Sequence, residues 1–276
     1  MVGVATRGYQ VKVSLVISFI SQYKYLLRTI EVAKQNAGAD FELVLIDNGS
    51  IEPRDIECDN LVRNDFNTGV VQPYRQGFDE SVGGIIFYIH SDVLLHESNW
   101  VDKLTATFEV DPKIGCVGLF GASGIGIDGG RLDPFSNMLG REWGGCRCHN
   151  STALHHGRLI TETTPAVVLD GLGMAFTREA MSLLITDTDM FEESRSRHHF
   201  YDKIMPLKVI SLGYRVAVTP LAFDHLGGVT SGQLDCNEDQ ALFDLAKQQM
   251  FTEFGNQFPI TVDSGYNYTS EGLKWP

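Results

Sequence analysis

Three apolar runs stand in the first third of the chain, and the second and third break off sharply into polar residues. Val11–Phe19 is β-branched and apolar after Lys12, Phe41–Ile46 stops at Asp47-Asn48-Gly49-Ser50, and Gly84–His90 stops at Ser91-Asp92. Runs of this length and composition are buried strands. Between the first two, Tyr23–Asn36 places Tyr25, Leu26, Thr29, Ile30 and Ala33 at helical spacing and is closed by Gly38. Leu61–Arg63 predicts a short strand. Val70–Ser81 and Trp100–Val110 predict helices, the latter with Leu104 and Phe108 on one face and Trp100 as a core anchor. Strand and helix in alternation give a doubly wound parallel sheet. Its polar residues collect at the C-terminal ends of the strands, where open α/β sheets bind ligands. The first half therefore points to a nucleotide site around Asp47, Asn67, Gly69 and Asp92.

The second half is less regular. Cys116–Phe120 predicts a strand, Gly121–Gly145 a glycine-rich stretch, and Val167–Leu169 a strand running into Asp170-Gly171-Leu172-Gly173. Arg178–Leu184 begins a helix, Tyr201–Leu212 forms another closed by Gly213, and Tyr214–Pro220 is a short strand. Asp224–Gly228 predicts a loop, Cys236–Phe254 an amphipathic helix, and residues 255–276 an irregular tail. The divisions are 1–115 for the nucleotide half, 116–232 for the second half of the site, and 233–276 for the last helix and tail.

Composition excludes several classes. A formal net charge of −13 with no basic stripe argues against a nucleic-acid partner. The apolar stretch from Val11 to Ile20 is cut by Lys12, Ser14 and Ser18, and falls short of the ~20 residues that span a bilayer. No signal-peptide pattern is visible, and five cysteines without framework spacing read as reduced thiols in a cytoplasmic, soluble protein. Missing motifs narrow the chemistry. No glycine fingerprint follows the first strand, and neither a phosphate-binding loop of the Walker type nor a nucleophile elbow is present. What remains is carboxylates at strand tips. One can hydrogen-bond a base or ribose, and another can hold a divalent cation against a diphosphate. Cys146-Arg147-Cys148-His149 with His155-His156 lacks the two spaced pairs of a structural zinc site.

Six segments in order carry a resemblance to glycosyltransferase family 2. They are Val13–Leu26, Glu42–Ser50 (ELVLIDNGS), Asn67-Thr68-Gly69 with Gln76-Gly77, Ile89–Val93 (IHSDV), Val168–Phe176, and Phe200–Tyr214 followed by Asp224–Gly228. The resemblance implies the GT-A fold, a Rossmann-like mixed sheet flanked by helices in a single large domain. It puts Asp47 against the nucleobase, and Asn67, Gly69, Gln76, Ser91 and Asp92 around the donor. Asp92 matches the second aspartate of the family's D-x-D metal motif, with His90 in place of the first. The metal set is Asp92, His225 and His90, and the cofactor a divalent cation, Mn²⁺ or Mg²⁺. Asp202 falls on the catalytic base, with Tyr201 replacing the usual preceding glutamate. Asp170 and Gly171 lie on the acceptor side, Trp143 and Tyr201 are candidates for stacking on sugar faces, and Arg197 with Arg195 is a candidate clamp for the diphosphate, the alternative being a solvated charged loop.

The function so implied is inverting, metal-dependent transfer of a sugar from a nucleoside-diphosphate donor, with UDP slightly favoured, to a saccharide or glycoconjugate hydroxyl. The alternative is a carbohydrate- or nucleotide-binding module that kept the fold without turnover. A sugar-phosphate nucleotidyltransferase is disfavoured, because its glycine-rich first loop is missing after Phe19. Oligomeric state is left open.

Overall fold

The computed structural model describes residues 12–140, 157–192, 198–226, 236–262, 267–269 and 272–274. The chain begins β1 (Val13–Phe19), α1 (Tyr23–Asn36), β2 (Glu42–Asn48), β3 (Asn60–Asn64), α2 (Val71–Glu80), β4 (Ile85–His90), β5 (Val93–Leu95) and α3 (Trp100–Val110). It continues through β6 (Ile114–Gly118), β7 (Phe120–Ile125), β8 (Arg131–Ser136), β9 (Met138–Gly140), β10 (Arg158–Leu159), β11 (Thr164–Ala166), β12 (Val168–Leu169) and β13 (Gly173–Thr177). The remainder is α4 (Arg178–Thr186), α5 (Tyr201–Ser211), β14 (Arg215–Val218), β15 (Phe223–His225), α6 (Cys236–Phe254), β16 (Ile260–Thr261), β17 (Asn267–Thr269) and β18 (Gly272–Lys274).

The main sheet has eight strands in the order β11-β14-β6-β13-β4-β1-β2-β3. Its central strands are apolar on both faces, as a sheet covered twice requires. Along β1, Leu15 and Ile17 face one core with Leu26, Trp100 and Leu104, while Val16 faces the other with Tyr74, Tyr88 and Phe176. Trp100 is fully buried, as expected of a core anchor, and its indole N–H donates to the Ala33 carbonyl at 2.9 Å. Gly77, next to Gln76, sits where α2 meets the sheet. A Cβ there would stand 2.6 Å from Val16 Cγ1 and 2.8 Å from Tyr88 Cε1, so its role is close helix–sheet packing.

The sheet is mixed, not parallel throughout. β13 runs antiparallel between β4 and β6, and β11 is antiparallel at the edge. The chain turns back at Asp170–Leu172 and re-enters the sheet from its polar end, so the second half completes the sheet that the first half begins. The strand expected over Cys116–Phe120 divides at Leu119, whose N–H donates to Gly173 O at 3.0 Å. β6 stays in the main sheet, and β7 enters a second one with β8, β10, β12 and β16.

The glycine-rich stretch thus contains regular structure. Asp128-Gly129-Gly130 is the turn joining β7 to β8, with Gly129 at φ +80° and Asp128 Oδ1 accepting the Gly130 N–H at 2.9 Å. The loop expected at Asp224 contains β15, which pairs with β5 and β9. The expected irregular tail contributes β16, paired with β7, and a β17–β18 ladder. Helix α6 buries Ala246, Met250 and Phe254 at four-residue spacing, the amphipathic face the sequence predicts. Among the described residues, no helix is long and apolar enough to cross a membrane.

Candidate functional site

The polar tips of β4, β13 and β15 meet α5 in one place. His90 ends β4, and its backbone N–H donates to Leu172 O at 2.9 Å. Two residues on, Asp92 lies in the turn into β5. Antiparallel pairing of β5 with β15 sets His225 opposite Val93, and the Leu226 N–H donates to Asp92 O at 3.0 Å. Backbone pairing therefore delivers three side chains to one point. One donor atom from each of His90, Asp92 and His225 lies within 4.8 Å of the others, and His225 Nε2 stands 3.5 Å from Asp92 Oδ1. Burial holds the His90 imidazole below its ordinary pKa, which favours the neutral ligand form. Burial alone would raise the Asp92 carboxyl, but the hydrogen bond to His225 and the charges of both histidines bring it below its usual range. Two imidazoles and a carboxylate suit a borderline divalent ion such as Mn²⁺ better than Mg²⁺, which prefers oxygen ligands.

Beside this triad, α5 opens at Tyr201. The chain reaches it through Phe200 in the left-handed region, φ +59°, with the Phe200 ring packed on Phe243 at 4.9 Å. The Tyr201 hydroxyl lies 3.3 Å from His90 Nε2. It fits only because residue 171 is glycine, since a Cβ there would stand 1.8 Å from the hydroxyl. The Tyr201 ring is buried against Tyr74. It presents no face for a sugar to stack on, which corrects that expectation: burial of the ring leaves only the hydroxyl to act. Burial, reinforced by the charges of Asp202 and Asp170, keeps the phenol protonated far above its usual range.

Asp202 follows in the first turn of α5, with its side chain 18% exposed. It is paired with a residue the sequence reading missed. Arg131, at the head of β8, donates from Nη2 to Asp202 Oδ2 at 2.5 Å and to Leu169 O at 2.8 Å, with Asp170 Oδ2 at 3.2 Å. Asp170 also accepts the Leu172 N–H at 3.1 Å. Burial would raise the Asp170 carboxyl, but Arg131 and that N–H hold it below its ordinary value. No motif marks Arg131. The one sequence signal was its place directly after an Asp-Gly-Gly turn, which predicts a hairpin.

The other expected residues lie across the sheet edge. In register, Ser18 of β1 stands between His90 and Ile46, and Phe19 opposite Asp47. The tips of β4 and β2 are thus two strand spacings apart, ~10 Å. Asp47 is 2% exposed and accepts the Ser50 N–H at 3.0 Å. Gly49, at φ +94°, lets this turn close on Phe66 and Asn67, where a Cβ would meet backbone at 2.5 Å. Asn48, unremarked in the sequence reading, organises the neighbouring loop. Its Nδ2 donates to Gly69 O at 2.8 Å and Asn67 Oδ1 at 3.2 Å, and its Oδ1 accepts from the Thr68 backbone and hydroxyl and from Asn64. Asn67 Oδ1 also accepts the Gly69 N–H at 2.9 Å, and Gly69 adopts φ +86°. Gln76 exchanges two hydrogen bonds with Asn64, at 2.7 and 3.1 Å. Ser91 is buried, and its carbonyl accepts from Thr29 Oγ1 at 2.9 Å. Trp143, Arg195, Arg197, Gly227, Gly228 and the Cys146–His156 cluster lie outside the described residues.

No curated protein matches this sequence. Among solved structures, the mannosyltransferase PcManGT of Pyrobaculum calidifontis, in complex with GDP-Man and Mn²⁺, aligns at TM-score 0.52 and 12% identity over 81% of this chain. The chain spans 59% of that enzyme's length. TarS residues 1–349 of S. aureus align at TM-score 0.49 and 13% identity, over 90% of this chain and 74% of that one. The first alignment shows the fold: a large mixed sheet between helices, of the GT-A kind. A family model described as glycosyltransferase-like matches residues 51–243, which include His90, Asp92, Arg131, Asp170, Asp202 and His225. With more than half of its length under that model and the same residues gathered at one sheet edge, the chain belongs to this glycosyltransferase-like family.

Proposed function

We propose that the protein transfers a sugar from a nucleoside-diphosphate donor to a hydroxyl acceptor, with inversion, using a divalent cation bound by His90, Asp92 and His225. The observation that carries this reading is the convergence of those three donor atoms within 4.8 Å, beside Asp202 and at the tips of the same strands. When bound, the cation would neutralise charge developing on the diphosphate leaving group. Asp47, with Asn67 and Gly69, forms the base and ribose end, in the half formed by residues 1–115. Ser91 lies where the chain bends between the triad histidine and Asp92. Asp170, Gly171 and the Tyr201 hydroxyl stand on the acceptor side, in 116–232, and Gln76 supports the loop through Asn64 without needing to touch the donor. Asp202 accepts the proton of the attacking hydroxyl, a role worth ~10²–10⁴-fold in rate.

The imidazole-rich donor set favours Mn²⁺ over Mg²⁺. Uridine and guanosine donors are both in scope: the buried carboxylate of Asp47 can accept from a base N–H, and the Pyrobaculum calidifontis mannosyltransferase is in complex with GDP-Man. Melting curves with UDP, GDP and other nucleoside diphosphates, each with and without Mn²⁺, provide the test. The cognate nucleotide should raise the melting temperature only with the metal. A binding module would show the same shift but no turnover. Transfer that is unchanged in Asp202→Asn would sink the base assignment.

A further inference from the structure

The residue nearest the proposed base is the one no sequence pattern picked out. Arg131 stands directly after the β7–β8 turn, and that turn is fastened to α5 by Lys203, whose Nζ donates to Gly129 O at 2.7 Å. The arginine is therefore carried to Asp202 by a rigid hairpin instead of reaching it from a loose loop. Its Nη2 has two hydrogens and faces three acceptors: Asp202 Oδ2, Leu169 O and Asp170 Oδ2. Its Nε–H is buried and has no partner among the described residues. A guanidinium free to choose would take a carboxylate by two parallel bonds. Here it takes only one oxygen of Asp202, and Oδ1 has no hydrogen-bond partner among the described residues.

Resting on the transferase reading above, we infer that Arg131 is a positioning residue for the proton-accepting step: it holds Asp202 by Oδ2 and leaves Oδ1 to take the proton. In that step the acceptor O–H bond breaks and Oδ1–H forms. The freed oxygen pair attacks the anomeric carbon, and the bond from that carbon to the diphosphate oxygen breaks with its electrons on the leaving group. The unmet Nε–H is the cost of this one-armed geometry. A two-armed pair would satisfy Nε but would occupy both carboxylate oxygens.

Arg131→Met and Arg131→Lys, compared with Asp202→Asn in the full chain, test the assignment. Both Arg131 variants should lose about 10–100-fold in kcat, the scale seen when a partner that orients a metal-ligating side chain is removed. Donor KM and nucleoside-diphosphate binding should be unchanged. The Arg131→Met/Asp202→Asn double variant should lose no more rate than Asp202→Asn alone, because a positioning residue acts only through the base it holds. Arg131→Lys keeps the charge without the planar fork, so it should lose less rate than Arg131→Met, and in combination with Asp202→Asn it carries the test if the Met variant fails to fold. Wild-type kcat in both variants would overturn the inference. So would a double variant that falls below Asp202→Asn by the full factor lost in Arg131→Met alone, the mark of a merely structural part. Full transfer by Asp202→Asn would instead overturn the base assignment on which the inference rests.

Discussion

The two ends of the sheet edge are built on opposite principles. Around Asn48 the network is neutral and closed: amides, a hydroxyl and backbone groups pair with one another, and the Asn48 side chain makes five hydrogen bonds. Around Asp202 it is charged and open. One guanidinium serves two carboxylates, an Nε–H goes unmet, and three metal-type ligands face one another across a gap. A closed neutral network fixes a loop and asks for nothing further. An open charged one is costly to bury unless something completes it. On the proposed transferase reading, the contrast separates the end that would hold the donor from the end that would perform chemistry.

The sharpest way to break this contrast is to remove the carboxylate of the triad. Asp92→Asn should abolish measurable transfer and remove the Mn²⁺-dependent rise in melting temperature. At a hundredfold excess over Kd, saturation is worth about 2.7 kcal/mol, or roughly 5–10 °C for a chain of this size. Without metal, the variant should melt near the parent. A Mn²⁺ shift that survives the substitution would place the cation elsewhere.

Asn48→Ala attacks the other end. It leaves buried donors and acceptors unpaired, at about 1–3 kcal/mol for each group left unsatisfied. The expected outcome is a loss of about 3 kcal/mol in stability by denaturant titration, a raised donor KM, and kcat changed only modestly once donor saturates. An equal loss in kcat would mean that the neutral network also shapes the reacting geometry.

The same contrast explains what the sequence could reveal. β1, β2 and β4 are runs of six or seven residues, and β2 and β4 break at polar tips, so both the sheet and the tip residues Asp47, His90 and Asp92 were legible. His225 and Asp202 were found by resemblance to a family, since neither lies on a periodic pattern of its own. β9, β12, β15 and β16 have only two or three residues each. Such pieces show no period, and they exist only because a partner strand is already in place. Arg131 was invisible for a related reason. Its importance comes from the pairing of β7 with β8 and from the return of β12, contacts distant in sequence. Asn48 lay inside a recognised motif, but the adjacent Asp47 drew the functional reading, and nothing local shows that an amide here will gather a loop some twenty residues on.

The smallest expected effect distinguishes the two ends by pH. In the folded protein, burial would raise the Asp170 carboxyl, but the Arg131 charge and the Leu172 N–H together hold it below its ordinary value. A depressed carboxyl contributes stability that is fully present above the unfolded-state pKa, about 3.9, and that fades as pH falls through the lower folded value. Asp170→Asn removes this contribution. The stability gap between parent and variant should therefore stay constant from pH 8 to 5 and narrow as pH falls below 4. The gap produced by Asn48→Ala should not change over the same range, because no group in that network titrates there. If the Asp170→Asn gap stayed flat to pH 3, Arg131 would be drawing its charge partner from Asp202 alone. The guanidinium would then belong wholly to the base and not to the pair of carboxylates.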